Sequence, residues 1–266
     1  MLDPGRGRTK TGYFWAIARD DRPWCGTDPP GVVYTYAPGR GAALGLKPLA
    51  GYSGIVQCDG YAVYKQMADP KRDGGGATLA FCWSHLRRRF YDIAKDGAAP
   101  LASETLQRIA ALYAIEEKIR GRSAAARRDI RQAESKPLVA ALKTWLEVQL
   151  GRVSGKSPIA AAFRYGLNHW DGLERYLEDG RIEMDTNAVE RAMRPIALNR
   201  KNALFAGHDE GAANWACLAS LVETCKLNAV DPQAYLADVL LKLVDLWPAA
   251  RLHELMPWNW ASTANP

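Results

Sequence analysis

Apolar positions change their spacing along the chain, and each change predicts a different element. Gly12 to Arg19 (GYFWAIAR) and Val32 to Ala37 (VVYTYA) are aromatic and β-branched runs of strand length. Asp20 to Gly31, dense in Pro, Asp and Gly, separates them as a turn region, so the two strands should pair antiparallel. Gly41 to Leu49 reads as a short helix. A third run, Gly54 to Cys58 (GIVQC), closes at Asp59, where two continuations are legible. Asp59-Gly60 between IVQC and YAVY is a hairpin signal. Tyr61, Tyr64 and Met67, three residues apart, instead read as a helix following the strand. In that case Asp59 stands at the carboxyl end of a buried strand, where open α/β sheets carry their sites.

The spacing then turns helical. Trp83, Leu86, Phe90 and Ile93 predict a helix over Ala80–Lys95, with Cys82, His85 and Arg87–Arg89 opposite. Leu101 to Asp179 is helical almost throughout. Ser157 and Pro158 supply the N-cap and first-turn proline of a helix carrying Phe163, Leu167, Trp170, Leu173 and Leu177. The basic stretch from Arg120 to Arg131 reads as a solvated face. Val189, Met193 and Ile196 mark another helix, with Asn187 as its N-cap, and Pro195 should end or kink it. Ala212–Leu227 follows with Trp215, Leu218, Leu221 and Val222 inward. Asp231-Pro232 caps the next helix, and the tryptophans of MPWNW should dock on the body.

At 266 residues and 48% apolar composition the chain can build one large domain or two small ones. Its net charge of +6 and pI near 9.1 admit an anionic partner without demanding one. Five cysteines, odd in number and with no CxxC pair, argue against a disulfide framework or a zinc knuckle and for a reducing cytosol. No stretch approaches a membrane span, MLDPGRGRTKTG does not resemble a signal peptide, and GRGRTK lacks the spacing of a phosphate loop.

The densest chemistry lies in Thr186–Phe205, TNAVERAMRPIALNRKNALF. Glu190 stands off the apolar stripe among Arg191, Arg194, Arg200 and Lys201. A carboxylate on a rigid element among cations suits a site that holds a metal ion and a phosphate backbone together. The same residues also fit a capping box from Asn187 to Glu190 and a surface Glu190–Arg194 pair worth ~0.3–0.5 kcal/mol. Cys82 and His85, one turn apart, read either as metal ligands or as a buried thiol beside a hydrogen-bonded histidine. No second ligand pair is close in sequence.

PGRGRTKTG (4–12), QCDGYAVY (57–64), CWSHLRRRF (82–90), NAVERAMRPIALNRKNALFAG (187–207) and ETCKLNAVDPQAYL (223–236), in this order, resemble the catalytic region of bacterial insertion sequence 66 type transposases. The resemblance covers nearly the whole chain. It implies an α/β (α+β) ribonuclease-H-like mixed sheet with flanking helices. The implied divisions are a first part of the core at 1–97, a helical insertion at 98–180, the catalytic Glu helix at 181–209 and a helical C-terminal region at 210–266. It also implies a DDE site in which three carboxylates hold two Mg²⁺ (or Mn²⁺) ions for phosphodiester hydrolysis and strand transfer.

Carried over, the second Asp falls on Asp59 and the Glu on Glu190, which favours strand-then-helix after Cys58. Cys82, His85 and Asn187 become structural supports, and Arg191, Arg194, Arg200, Lys201 and Arg88 become DNA contacts. The first Asp of the family lies just before the PGRGRTKTG segment, a position that Asp3, Asp20 and Asp21 do not match. The expectation is therefore an N-terminally truncated transposase, incomplete in its metal site and inactive alone. Its partners would be transposon ends and target DNA, itself, or a full-length transposase, in the bacterial cytoplasm near the nucleoid and without a membrane. Two other readings stand beside it: a non-catalytic basic remnant that binds DNA or regulates transposase assembly, and a hydrolase using Cys82 or His85.

Overall fold

The computed structural model describes residues 7, 9–41, 45–203 and 205–264. It holds four strands: β1 (Tyr13–Arg19), β2 (Gly31–Ala37), β3 (Ile55–Cys58) and β4 (Thr78–Phe81). Helices α1 (Trp83–Ala94), α2 (Pro100–Ile119), α3 (Ala124–Ile130), α4 (Lys136–Leu150), α5 (Pro158–Asn168) and α6 (Trp170–Glu174) follow. The chain ends with α7 (Asn187–Asn202), α8 (Asp209–Leu227), α9 (Pro232–Val244) and α10 (Pro257–Ala264). It divides into two compact units, one of Met1–Asp21, Thr27–Pro48 and Asn187–Pro266, the other of Arg22–Gly26 and Leu49–Thr186. The class is mixed α+β and mostly helical. Where one mixed sheet was expected, the described residues form two two-stranded sheets.

In the Leu49–Thr186 unit, β3 and β4 pair in parallel, Ile55 opposite Thr78 and Cys58 opposite Phe81. The Asp59-Gly60 hairpin is therefore excluded, because a parallel pair needs a crossover. That crossover carries a 3-10 helix, Ala62–Ala68. β4 falls where a helix was expected to begin. Four residues, TLAF, are too few for a periodicity to declare itself, and the helix starts only at Trp83, with Cys82 as its N-cap residue. Trp83, Leu86 and Phe90 bury fully against Ile109 and Leu112 of α2, Leu142 and Leu146 of α4 and Phe163 of α5. The Trp83 indole N–H donates to the Leu173 carbonyl at 2.8 Å, which satisfies the one polar atom in a buried ring. The helix expected from Ser157 to Gly180 breaks at His169, whose ring nitrogen Nδ1 lies 2.7 Å from the Tyr165 carbonyl.

The basic stretch is solvated only in part: Arg120, Arg122 and Arg128 are exposed. Arg127 and Arg131 are buried, on α3 and on the π-helical turn Arg131–Ser135 that joins it to α4. Arg131 donates to both oxygens of Glu116, at 2.8 and 2.7 Å, and to the carbonyls of Tyr176, Asp179 and Ile182. Arg127 donates to Glu183 at 2.6 Å and reaches Glu116 at 3.4 Å. A guanidinium is the one cation whose planar fork can serve so many acceptors at once, and carboxylates drawn from distant segments make the burial tolerable.

In the other unit β1 and β2 pair antiparallel, Tyr13 opposite Ala37 and Arg19 opposite Gly31. Helix α8 runs beside β2, presenting Ala212, Ala216, Ser220 and Thr224 at spacings of four. Thr224 Oγ1 accepts from Val32 N–H and donates to its carbonyl, and Ser220 Oγ accepts from Tyr34 N–H. Helix hydroxyls thus satisfy an edge that a further strand would otherwise pair. This small stripe stands beside the expected one: Trp215 packs on Phe14 and Leu221 on the cluster of Cys225 and Tyr235, whereas Leu218 is exposed.

Helix α7 starts at Asn187, one residue earlier than an N-cap assignment there implies, and it runs through Pro195 without ending. Ala192, Met193 and Ile196 pack with Val32 and Tyr34, so the helix is held on both sides of the proline. The Tyr34 hydroxyl donates to the Ala192 carbonyl at 2.5 Å, one turn before the ring. Downstream, Asp231 accepts from Ala234 N–H at 2.8 Å as the N-cap of α9, and Trp260 docks on Tyr235, as expected. In the described part of Gly41–Leu49, Gly45 is helical, its N–H donating to the Gly41 carbonyl at 3.2 Å, and a 3-10 turn, Lys47–Leu49, follows; residues 42–44 lie outside the described residues.

All five cysteines are free. Burial pushes Tyr34, Tyr64 and Tyr235 up to about 12, and Cys58 and Cys225 up to about 11. Each keeps its proton to a higher pH when folded than when unfolded. Their stabilisation is therefore full below the ordinary thiol and phenol values of 9.0 and 10.0 and is lost as pH rises towards 12. Melting temperature should fall steadily from pH 9 upward, with tyrosinate absorbance appearing together with unfolding. A flat profile to pH 11 would contradict this burial.

Candidate active site

The parallel pair fixes the geometry of the Leu49–Thr186 unit's strand ends. Because Cys58 is level with Phe81, the next residues, Asp59 and Cys82, leave the sheet at the same end. The Asp59 carboxylate is exposed; its Oδ1 accepts from Tyr61 N–H at 2.9 Å, which fixes the side chain over the turn. Gly60 has φ +81°, and a β-carbon there would meet the His169 ring at 3.0 Å, so the turn requires glycine twice over. The Tyr165 hydroxyl donates to the Asp59 carbonyl at 3.0 Å. The Tyr165 ring lies between the Arg89 guanidinium, 3.7 Å from its centroid, and His169, 4.3 Å away. Asp59 thus stands beside an aromatic platform bearing a cation. The cation is Arg89; its neighbour Arg88 is exposed and makes no polar contact among the described residues.

Cys82 is buried and hydrogen-bonded at its thiol. Its Sγ accepts from Thr186 N–H at 3.3 Å and lies 3.8 Å from Asp185 Oδ1. Burial pushes its thiol above the ordinary range, so it remains protonated at neutral pH. A buried, protonated thiol is a poor nucleophile, which removes the basis for a cysteine hydrolase. Asp185 Oδ1 also accepts from Ser84 N–H at 2.9 Å and from the Tyr113 hydroxyl at 2.7 Å. It therefore satisfies the start of α1 from a segment a hundred residues on, and favours the helix dipole there. His85 lies on the first turn of α1. Asp185, Tyr113, Tyr165, His169 and Arg89 were not singled out from the sequence. Of these only Arg89 sat within a quoted motif.

The remaining predicted residues belong to the other unit. Asn187, Glu190, Arg191, Arg194, Arg200 and Lys201 all lie on α7, with Glu190 in its first turn. Glu190, Arg191, Arg194 and Lys201 are exposed. The Arg200 side chain lies outside the described residues. Asp21, in the same unit, is buried and bound by Arg19 at 2.7 Å, so it serves an ion pair of its own.

Residues 1–214 match the Transposase IS66 family, and residues 220–258 match the IS66 C-terminal element. The chain belongs to the IS66 transposase family. Its relatives include three uncharacterized proteins of Sinorhizobium fredii (strain NBRC 101917 / NGR234). The protein y4qI is 46% identical over 266 residues, covering 99% of this chain and 49% of that protein. The protein y4jD is 44% identical over 97% of this chain and 51% of its own length, and y4hP 39% over 96% and 48%. The IS66 chain thus spans about half the length of the curated relatives it matches. No solved structure matches it. DDE transposases as a family generally use a divalent metal. Among the described residues of this IS66 member, no helix is long and apolar enough to cross a membrane.

Proposed function

We propose that these residues form most of the catalytic core of a DDE transposase with a ribonuclease-H-like fold, which hydrolyses and transfers DNA phosphodiesters in the bacterial cytoplasm. The observation that carries the reading is the family match over residues 1–214. By resemblance to that family, Asp59 and Glu190 are two of its three carboxylates. The divisions at 1–97, 98–180, 181–209 and 210–266 belong to the same proposal.

The donor set fits a hard divalent cation. Asp59 offers an exposed carboxylate whose Oδ2 has no partner among the described residues, on a strand end made rigid by Gly60 and Tyr165. Glu190 offers a second on a helix. When bound, Mg²⁺ or Mn²⁺ would supply Lewis acidity toward the scissile phosphate and lower the pKa of the attacking water or 3′-hydroxyl. Asp59 and Glu190 hold and orient. Cys82, His85 and Asn187 support them. Arg191, Arg194, Arg200 and Lys201 neutralise the DNA backbone, and Arg89, stacked on Tyr165 beside Asp59, is better held for a phosphate than Arg88. With two of three carboxylates, the 266 residues alone should bind DNA, bind metal weakly and not cut.

A salt titration of binding to a transposon-end duplex, followed by incubation with Mn²⁺, tests this reading. The slope of log K against log salt should shrink by about two in an Arg200→Ala/Lys201→Ala variant, since each phosphate contact contributes roughly 0.9. An unchanged slope would count against the DNA face. Mn²⁺-dependent cleavage that disappears in Asp59→Ala would overturn the inactivity. DNA binding without turnover also fits a regulatory remnant; restoring cleavage by adding the part of a relative that this chain does not cover separates the two.

A further inference from the structure

Helix α9 carries a stripe of the wrong kind for a surface. Ala237, Leu240, Leu241 and Val244 recur at spacings of three, four and seven from the first, the pattern by which a helix buries one face. Yet Leu240 is 60% exposed, Leu241 66% and Val244 77%, and Leu246 just beyond is 87% exposed. The opposite face is already occupied. Tyr235 and Val239 bury against Cys225, Val230 and Leu255, and the Tyr235 hydroxyl donates to the Leu255 carbonyl at 2.8 Å. The helix is therefore apolar on both sides, which in water is the state of an element awaiting a second packing partner.

We infer that the outward face of α9 is a self-association surface, and that its occupant is α9 of a second copy of this chain. Three observations single out that occupant. The first is charge. From Pro232 to Trp258 the residues Lys242 and Arg251 stand against Asp238, Asp245 and Glu254, in a chain whose net charge is +6. Lys242 is paired with Asp238 at 2.6 Å and Arg251 with Glu254 at 2.7 Å. A face almost neutral and internally paired can meet its own copy without like-charge repulsion. It has no cationic excess for a nucleic acid and no basic flank for an anionic membrane surface.

The second is shape. A two-fold axis passing between Leu240 and Leu241 runs two copies of α9 antiparallel and sets Ala237 of one copy against Val244 of the other. Small then faces large at both ends, and leucines fill the centre, the complementarity that an isologous contact needs. The third is area. The exposed parts of Leu240, Leu241 and Val244, with Leu246 just beyond, amount to roughly 500 Å² per copy, or about 1,000 Å² for the pair, the least that a specific interface needs. Helix α9 is 13 residues long, about 20 Å, so one helix pair covers the whole stripe.

Sedimentation equilibrium of the whole 266-residue chain tests this, alongside a Leu241→Glu/Val244→Glu variant. Both positions are exposed, so the variant should keep its circular dichroism and melting temperature. The wild type should be a dimer at tens of micromolar and the variant a monomer, with association weakened at least a hundredfold. In a Cys25→Ser/Cys217→Ser background, oxidising a mixture of Ala237→Cys and Val244→Cys chains should give the mixed disulfide in preference to either like pair. A wild type that stays monomeric, a variant that stays dimeric, or like pairs forming as readily as the mixed one would each overturn the inference.

Discussion

Glu116→Ala should cost this protein about 3–5 kcal/mol of stability, the loss expected when one partner of a buried ion pair is removed. The side chains of Arg131 and Arg127 are 0% and 2% exposed, and Glu116 is the carboxylate both reach, at 2.7 and 3.4 Å. Alanine there leaves Arg131 a buried guanidinium facing only carbonyls, and leaves Arg127 with Glu183 alone. The double change Glu116→Leu/Arg131→Met should recover only part of the loss. It removes the charge, but it strands the carbonyls of Tyr176, Asp179 and Ile182 that Arg131 serves. Urea unfolding followed by tryptophan fluorescence reads the difference, since Trp83 and Trp170 sit in the same core. A cost below 1 kcal/mol would mean that the pair behaves as a surface one.

That network shows what residue spacing can and cannot tell. Strands β1, β2 and β3 were legible because aromatic and β-branched runs ended at turn residues, and the caps at Ser157 and Asp231 were legible because their chemistry is local. The buried arginines were not. Their carboxylate partners lie at positions 116 and 183, and nothing in a window around RRDIR distinguishes a cation with distant partners from one in water. β4 escaped because a short parallel strand, covered on both faces, has no alternation to read. Pro195 does not end its helix because proline's cost is local while the packing of Met193 and Ile196 that outweighs it is tertiary.

The site was legible in the same uneven way. Asp59 was singled out at the end of an apolar run with two continuations open, and its proposed role came from the family resemblance. Its surroundings, Tyr165, His169 and Arg89, come from two other helices and could be met only in three dimensions. Asp185 was passed over because it stands just ahead of the helix that drew attention, and its contacts, Ser84 and Tyr113, lie 101 and 72 residues away.

The largest functional effect should come from the two carboxylates. On the proposed assignment, in which Asp59 and Glu190 hold a divalent ion, Asp59→Asn or Glu190→Gln in a chain of full-length relatives' size should lower DNA cleavage by about a thousandfold or more. Each substitution is nearly isosteric and exposed, so folding should be untouched. Losses from a shared ion cannot add: once one ligand is gone, the other has little left to lose.

Mn²⁺ binding to this 266-residue chain, followed by electron paramagnetic resonance across a double-mutant cycle at these positions, examines that sharing without any need for catalysis. We expect weak binding in the wild type, a loss of about tenfold or more in either single variant, and no further loss in the double. Independent, additive losses, or binding indifferent to both substitutions, would show that Asp59 and Glu190 do not serve one ion.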